Sequence, residues 1–268
     1  MFRNITIGQY IPGDSIVHNL DPRIKLIITF IFIIAIFLIS NFSGYIFVLV
    51  YIYLIVSISK IPFGYVLKGL RPIIIILLLT VGLNMFFTPG GVALYTLGPL
   101  KITTAGLKLA VFMALRLIFL IIGTSLLTLT TSPISLTDGI EHLLKPFSRI
   151  GVPAHELAMM MTIALRFIPT LIEETEKIMK AQMARGADFE SGNIIKRAKG
   201  LVPLLVPLFI SAFRRADELA IAMESRCYRG GQNRTRMKQL KVQKRDYIAL
   251  ATTTLMVLLL IWNRFWMW

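Results

Sequence analysis

Two arginines, each at the end of a long amphipathic segment, are the residues of this sequence that we expect to do chemistry. They lie in Ala184-Arg185-Gly186 and in Ser225-Arg226-Cys227. Arginine presents a planar, permanently charged fork of donors that fits carboxylates and carbonyl oxygens on a partner surface. An arginine in a last helical turn can also simply offset the helix dipole. Two segments that end alike favour a matched pair of docking contacts.

Helical periodicity predicts that both arginines lie at the ends of helices. Apolar residues recur at spacings of three and four along residues 164–185 and again along 201–225, with charged residues on the opposite face. Each segment has a proline near its predicted start, at Pro169 and Pro203. Gly186 follows the first arginine and Gly230-Gly231 follows the second motif, as C-terminal stops would. We therefore expect each arginine in a last helical turn, at the tip of an arm.

No constellation of enzyme residues accompanies these tips. His155 and Glu156 begin like a zinc-protease helix, but Met159 stands where the second histidine is required. A Walker-type glycine loop and a Gly-x-Ser-x-Gly elbow are both missing from the sequence. The single cysteine, Cys227, excludes an intramolecular disulfide and a cysteine-built metal site. We predict that the chain is not an enzyme and uses neither a cofactor nor a metal.

Composition indicates an integral membrane protein. The 268 residues are 56% hydrophobic and have a mean hydropathy of +0.72, above the apolar share of about 45–50% that is usual in soluble domains. The net charge of +15 invites a nucleic-acid hypothesis. Cytoplasmic loops of a membrane protein that face anionic lipid explain this charge better, so we predict membrane lipid as a partner and no nucleic acid.

Hydropathy predicts an all-α polytopic membrane protein with about five transmembrane helices, at residues 26–39, 46–58, 73–87, 106–129 and 247–262. Residues 88–104 are predicted as a loop with glycine and proline. The connection between the second and third spans carries Lys60, Lys68 and Arg71, whereas the connections on either side carry almost no charge. By the positive-inside rule, the N-terminus and residues 131–245 are then cytoplasmic.

The predicted organisation has four parts: 1–25, a cytoplasmic N-terminal segment; 26–130, transmembrane helices 1–4; 131–245, a cytoplasmic region of amphipathic helices; and 246–268, the last transmembrane helix and an outer tail. Arg23 and Lys25 precede the first span, as anchors facing the cytoplasmic side would. Lys108 and Arg116 lie within the fourth apolar run. We expect these two to snorkel or to pair with helix carbonyls.

Three stretches give the chain a resemblance to a known family, and the resemblance covers nearly the whole length. They are Pro12-Gly13-Asp14-Ser15 through Leu20-Asp21-Pro22-Arg23-Ile24-Lys25, Arg166-Phe167-Ile168-Pro169 through Ala184-Arg185-Gly186-Ala187, and Arg215-Ala216-Asp217-Glu218 through Ser225-Arg226-Cys227-Tyr228. The chain resembles the transmembrane T component (EcfT, in the wider CbiQ-like family) of energy-coupling factor transporters. The second motif often ends in glycine in that family, whereas this chain has Cys227.

The resemblance implies a coupling subunit between two ATP-binding subunits (EcfA- and EcfA′-like) and an exchangeable S component that captures a vitamin or similar micronutrient. The cytoplasmic amphipathic helices would be coupling helices in an L-shaped arrangement, and ATP would be bound by the partners. The residues expected to dock on the ATPases are Ala184, Arg185, Gly186, Ser225, Arg226 and Cys227. The residues expected to contact the S component are Pro203, Leu204, Pro207, Leu208, Ala212, Ala216 and Ala220.

Three alternatives remain open from the sequence. The first is the T component of a cobalt or nickel importer of the same type, which the sequence does not distinguish from a vitamin importer. The second is a membrane-embedded enzyme, which needs a catalytic constellation that the motifs above do not supply. The third is a stand-alone channel or carrier, and co-purifying ATPase subunits would exclude it.

Overall fold

The computed structural model describes residues 10–97, 100–187, 189, 194–231 and 239–266, with side chains for all of these except 93–97, 100–101 and 194–199. The structure is 79% helical, which confirms the predicted all-α class. The α-helices are α1 Pro22–Phe37, α2 Phe42–Ser59, α3 Phe63–Lys68, α4 Ile74–Phe87, α5 Thr104–Thr130, α6 Pro133–Leu144, α7 Ala154–Ala184, α8 Ile194–Ser225 and α9 Lys244–Trp266. Short 3-10 helices cover Arg71–Ile73 and Lys145–Ile150.

Among the described residues, five helical segments are long and apolar enough to cross a membrane, the number that the sequence predicted, but they are not the same five. They are Phe42–Ser59, Phe63–Phe87, Thr104–Thr130, Ala154–Ala184 and Lys244–Trp266. The predicted first span, α1, has only 16 residues, which is short of the roughly 20 that a bilayer requires. Its place among the five is taken by α7, which we had predicted to lie on the cytoplasmic side.

Local signals keep α1 short. Asp21 caps its start by accepting a hydrogen bond from the Arg23 amide (2.9 Å), and Pro22 occupies the first helical position. The helix ends at Phe37, ahead of the polar Ser40 and Asn41. Because α1 packs against α5 and α9, other helices rather than lipid cover much of its length.

The chain forms two compact units, and unit 2 comprises Gly8–Ile140 and Gln239–Trp268. Its core lies between α1, α2, α5 and α9, where Phe32, Ile36, Val48, Phe119 and Met256 are buried. The hydroxyls of Tyr51 and Thr253 are 2.6 Å apart within this core. Helix α9, from the end of the sequence, is thus a neighbour of α1 and α2 in one bundle.

Lys25, which we had predicted as an anchor facing the cytoplasmic side, is buried within the protein. Only 6% of the residue is exposed. Its Nζ donates to the carbonyls of His18 (3.1 Å) and Thr130 (2.8 Å) and to Thr131 Oγ1 (3.1 Å). The lysine therefore ties the segment before α1 to the end of α5. Hydropathy gave no sign of this role, because it depends on residues more than 100 positions away.

Replacement of Lys25 by methionine is expected to lower the free energy of unfolding by about 1–3 kcal/mol. The change keeps the aliphatic stem but leaves buried oxygens without their donor, which has about that cost. Thermal unfolding of the detergent-solubilised chain measures the effect. Lys241→Met, at an exposed lysine, is the control and should leave the melting temperature unchanged. Equal melting temperatures for both variants would contradict the assigned role.

A second set of hydrogen bonds ties the same segment to α9. Asp246, only 1% exposed, accepts from the amides of Asp21 (2.8 Å) and Gln243 (2.7 Å). Asp21 in turn pairs with Arg23 (2.7 Å), whose Nη2 also donates to the Leu240 carbonyl (3.1 Å). Arg23 therefore belongs to this network, and the Leu-Asp-Pro-Arg motif of the sequence has a structural function.

Arg116 pairs with a backbone carbonyl, which was one of the two outcomes expected for it. Its Nη2 donates to the Ile39 carbonyl (3.3 Å), just beyond the end of α1. The guanidinium carbon also lies 5.5 Å from the ring centre of Phe37 and 5.1 Å from that of Phe112. Lys108, in the first part of α5, is exposed.

The predicted loop at 88–104 contains a β-hairpin. Strand β1 (Ala93–Leu97) pairs antiparallel with β2 (Leu100–Thr103), and Tyr95 lies opposite Ile102. Leucine, tyrosine, threonine and isoleucine on both sides of a Gly-Pro pair favour such a hairpin. We missed it because we gave the glycines and prolines more weight than the residues between them.

Unit 1 comprises Met1–Ile7 and Glu141–Lys238, and its described part is dominated by α7 and α8. Both helices begin earlier than predicted, at Ala154 rather than residue 164 and at Ile194 rather than residue 201. Pro169, Pro203 and Pro207 consequently lie inside the helices and not near their starts. A proline removes one hydrogen bond but does not always end a helix, and long helices with partners tolerate that loss. The ends of both helices match the prediction within one residue.

Candidate functional site

Helices α7 and α8 form an antiparallel pair, which three contacts along their length establish. Gln182, near the end of α7, donates to the carbonyl of Pro203, in the first half of α8 (3.4 Å). Glu174 and Arg215, each about two-thirds along its helix, form an ion pair at 2.6 Å. Tyr228, just beyond α8, donates to Met159 near the start of α7 (3.0 Å). The C-terminal ends of the two helices therefore lie at opposite ends of the pair.

The first tip is a Schellman motif centred on Arg185. The helix ends at Ala184, Arg185 is the C-cap, and Gly186 has φ +88°. The amide of Gly186 donates to Met183 (3.0 Å), and that of Ala187 donates back to Gln182 (3.0 Å). A Cβ on Gly186 would meet no other atom within 4 Å. Glycine is thus favoured here by the left-handed backbone and not by lack of space.

The second tip repeats this geometry around Arg226. Helix α8 ends at Ser225, the amide of Cys227 donates to Glu224 (2.8 Å), and that of Tyr228 donates to Met223 (3.0 Å). Cys227 has φ +56° and takes the position of Gly186. The expectation that Gly230-Gly231 stops the helix is therefore wrong, since the left-handed residue comes three positions earlier. A side chain in this conformation costs about 1–2 kcal/mol.

Replacement of Cys227 by glycine is expected to retain the fold and to raise stability by up to about 1 kcal/mol, because it removes the left-handed strain. Cys227→Val should lower stability by about 1–3 kcal/mol, because a β-branched side chain fits a positive φ poorly. Thermal unfolding of the three proteins gives the order glycine, cysteine, valine. Gly186→Ala at the first tip is the matched control and should lower stability. If valine were tolerated as well as glycine, the backbone assignment would be wrong.

Both tip arginines are exposed, and neither guanidinium group forms a hydrogen bond or ion pair with any residue that the structure describes. Their charges are permanent. From the three contacts between the helices, Arg226 is level with the early part of α7, whereas Arg185 follows its end. At about 1.5 Å of rise per residue the two guanidinium groups are roughly 35 Å apart along the pair. The arrangement provides two similar cationic contacts at a fixed spacing.

The two tips differ in their support. At the second tip, Tyr228 lies against the start of α7, with its hydroxyl 3.5 Å from His155 Nε2, and His155 Nδ1 lies 3.0 Å from Glu141. A Cβ on Gly231 would overlap the His155 ring. The sequence had indicated His155 only as the first residue of an incomplete zinc-protease motif. The contact between His155 and Tyr228 joins residues that are 73 positions apart, so no local pattern in the sequence predicts this contact.

The described residues contain no group of three or more histidine, cysteine, aspartate or glutamate side chains that could hold a metal ion. The polar contacts of unit 1 instead link α7 to α8 and fix the second tip. The described part of unit 1 also presents two exposed guanidinium groups at the tips.

The side of α8 turned away from α7 is apolar and exposed. We call it the outer face, and it consists of Val202, Val206, Phe209 and Phe213, followed by Ala216 and Ala220. Phe209 is 61% exposed and Phe213 is 68% exposed. Arg215 and Leu208 lie on the opposite side and are half-buried. An exposed apolar stripe of this length marks a surface that a partner or lipid covers.

The residues predicted to contact an S component fall into two groups. Pro203, Ala216 and Ala220 are exposed, whereas Pro207, Leu208 and Ala212 are half-buried, and Leu204 is only 8% exposed. Leu204 is already covered within the chain and has little surface left for a partner. The predicted set therefore includes residues on both sides of α8, because this helix is apolar on two sides and periodicity alone does not separate them.

Comparison with known proteins gives concordant matches over nearly the whole chain. The family model CbiQ, described as "Cobalt transport protein", matches residues 13–237. A protein of Clostridium kluyveri named "Energy-coupling factor transporter transmembrane protein EcfT" is 62% identical over 267 residues, with 99% of each chain covered. Proteins of the same name from Thermosediminibacter oceani and Bacillus subtilis are 64% and 48% identical, covering 98% of this chain and 99% and 100% of the relatives.

Proposed function

Since this chain belongs to the CbiQ-like family and is an EcfT-type transmembrane component of an energy-coupling factor transporter, we propose that it transmits motion within that transporter. Arg185 and Arg226 each dock on one of two ATP-binding subunits. The outer face of α8 carries an exchangeable S component that captures a micronutrient. The chain has no catalytic role, and the partner subunits bind the ATP.

The observation that carries this proposal is the pair of matching tips. Two exposed guanidinium groups occupy the same position in two Schellman motifs, at opposite ends of one helix pair. A dipole effect alone explains an arginine near a helix end, but it does not explain why two ends share one geometry. Two equivalent sockets, one on each ATPase, require two equivalent contacts at a fixed spacing.

The helix pair is suited to transmit displacement. Helices α7 and α8 have 31 and 32 residues, and the Glu174–Arg215 ion pair joins them between their ends. This pair is about one-third exposed, so it contributes little energy but fixes the register of the two helices. When the ATPases move the tips, the outer face moves with them.

The proposal requires that both tips lie on the cytoplasmic side, although α7 is long and apolar enough to span a membrane. If α7 crossed the membrane, the roughly 35 Å between the tips would place them on opposite sides of a hydrocarbon core about 30 Å thick. Glu173, Glu174, Glu176, Lys177 and Lys180 oppose such a crossing, because a charged residue in the bilayer costs at least about 2.5 kcal/mol. We propose that the pair lies along the cytoplasmic surface.

The cargo is a second part of the proposal. We favour a vitamin or similar micronutrient, because the highly identical relatives bear the general transporter name. The description of the matching family model names cobalt. A cobalt or nickel importer is therefore the alternative. Neither cargo would touch this chain. The S component that co-purifies with the chain, together with its bound ligand, therefore distinguishes a vitamin importer from a cobalt or nickel importer.

Purification of the intact chain in mild detergent tests the proposed assembly. Mass spectrometry should identify two ATP-binding subunits and one small membrane protein at fixed stoichiometry. Chemical analysis of the small molecule or metal in that preparation then identifies the cargo. Recovery of the chain alone, with ATPase subunits present in the same membranes, would contradict the proposal and favour a stand-alone carrier.

A further inference from the structure

Unit 2 contains a cavity that the proposed function does not use. It has a volume of about 200 Å³ and lies between α1, α2, α5, α9 and the segment before α1. Phe32, Ile52, Ile55 and Leu126 are among the side chains that form its largely apolar wall. Concave, mostly apolar sites with a few polar groups are the usual form of a ligand site.

The cavity opens at the surface through an apolar rim. Ile16, Ile58 and Ile248 line it, and they are 61%, 46% and 64% exposed. The lining residues come from the start of α1, the end of α2, the end of α5 and the start of α9, so the cavity lies at one end of the bundle. The positive-inside rule predicts that this end faces the cytoplasm.

Two basic residues line the cavity, and only one has donors to spare. The donors of Lys25 are used by His18, Thr130 and Thr131. Arg245 has a buried Nε with no hydrogen-bond partner among the described residues. Buried polar groups normally find a partner, and the described lining contains no carboxylate that could supply one.

The position of Arg245 indicates what that partner is. It lies in the first turn of α9, where a polar segment gives way to the apolar part of the helix. This is the level of lipid headgroups. The fork of a guanidinium matches the oxygens of a phosphate, and an apolar cavity beside it matches an acyl chain.

We propose that this cavity binds one acyl chain of an anionic glycerophospholipid of the cytoplasmic leaflet, with the lipid phosphate on Arg245. The site is independent of the helix tips and of the outer face of α8. Bound in this way, the lipid contacts all four helices of the bundle, and its phosphate neutralises the charge of Arg245.

Native mass spectrometry of the full-length chain in detergent, with equal amounts of phosphatidylglycerol or phosphatidylcholine added, tests the proposal. The wild-type chain should retain one phosphatidylglycerol under conditions that remove phosphatidylcholine. Arg245→Gln should lower this retained fraction about fivefold, since a basic residue at an anionic surface contributes about 1 kcal/mol. Ala249→Phe, which places a ring in the cavity, should remove the retained lipid.

Arg264→Gln, in the last turn of the same helix, is the matched control and should keep the retained lipid. Unchanged melting temperatures establish that the variants are folded. Equal retention of the two lipids by the wild-type chain would overturn the proposal, as would full retention of phosphatidylglycerol by Arg245→Gln. A retained species with the mass of a free fatty acid would overturn the phospholipid assignment.

Discussion

Simultaneous replacement of Arg185 and Arg226 by alanine is expected to abolish ATP-driven uptake while leaving the chain inserted in the membrane. Each arginine contributes charge-assisted hydrogen bonds to an ATPase in the proposed assembly, and a hydrogen bond to a charged group is worth about 1.5–3 kcal/mol. Loss of both contacts should lower uptake at least about 100-fold. Uptake of a radiolabelled cargo into proteoliposomes that contain all subunits measures the effect.

The control for this experiment is Arg214→Ala, which removes an exposed arginine from α8 away from either tip. It should leave uptake unchanged. Lysine at both tips keeps the charge but loses the planar fork, so Arg185→Lys with Arg226→Lys should give intermediate uptake. Normal uptake by the double alanine variant would show that the tips do not carry the coupling.

A second large effect is expected at the outer face of α8. Phe209→Gln together with Phe213→Gln should remove the S component from the purified complex while both ATPases remain bound. Burying a phenylalanine side chain contributes about 1.5–3 kcal/mol, so loss of two should weaken the contact at least about 100-fold. The ratio of S component to ATPase in purified complexes measures this change directly.

Ile221→Gln is the matched control, because Ile221 is also an exposed apolar residue of α8, at 66%, but lies away from the line of Phe209 and Phe213. This variant should keep the S component. Loss of the ATPases in the phenylalanine variant would show that the whole helix pair is disturbed. Retention of the S component would show that another surface binds it.

The ends of α7 and α8 could be predicted from sequence because helix C-caps are local. Gly186, after an amphipathic run, indicates a left-handed cap by itself. Cys227 carries no such signal, so the second stop was assigned to Gly230-Gly231. Only the repeated x-Arg-x pattern indicated the residue at which α8 ends. The positive φ angles of Gly186 and Cys227 show that both helices end in the same motif.

The starts of the helices and the role of Lys25 could not be predicted, because they depend on distant contacts. Nothing near Lys25 in the sequence indicates that Thr130 and Thr131 accept its hydrogen bonds. The contact between Tyr228 and His155 could not be predicted for the same reason, because these residues are also distant in the sequence. For α8, the apolar pattern predicted a buried side but did not reveal a second, exposed one, so the predicted contact residues include Leu204, which the chain itself covers.

The topology of the two tips tests the central claim most directly, and the chain offers a natural probe. Cys227, its single cysteine, is exposed and adjacent to Arg226. Ala184→Cys in a Cys227→Ser background reports on the first tip. A membrane-impermeant maleimide should label both cysteines in inside-out vesicles and neither in right-side-out vesicles. Labelling of either tip from the outer side would mean that α7 crosses the membrane, and the proposed coupling would then be wrong.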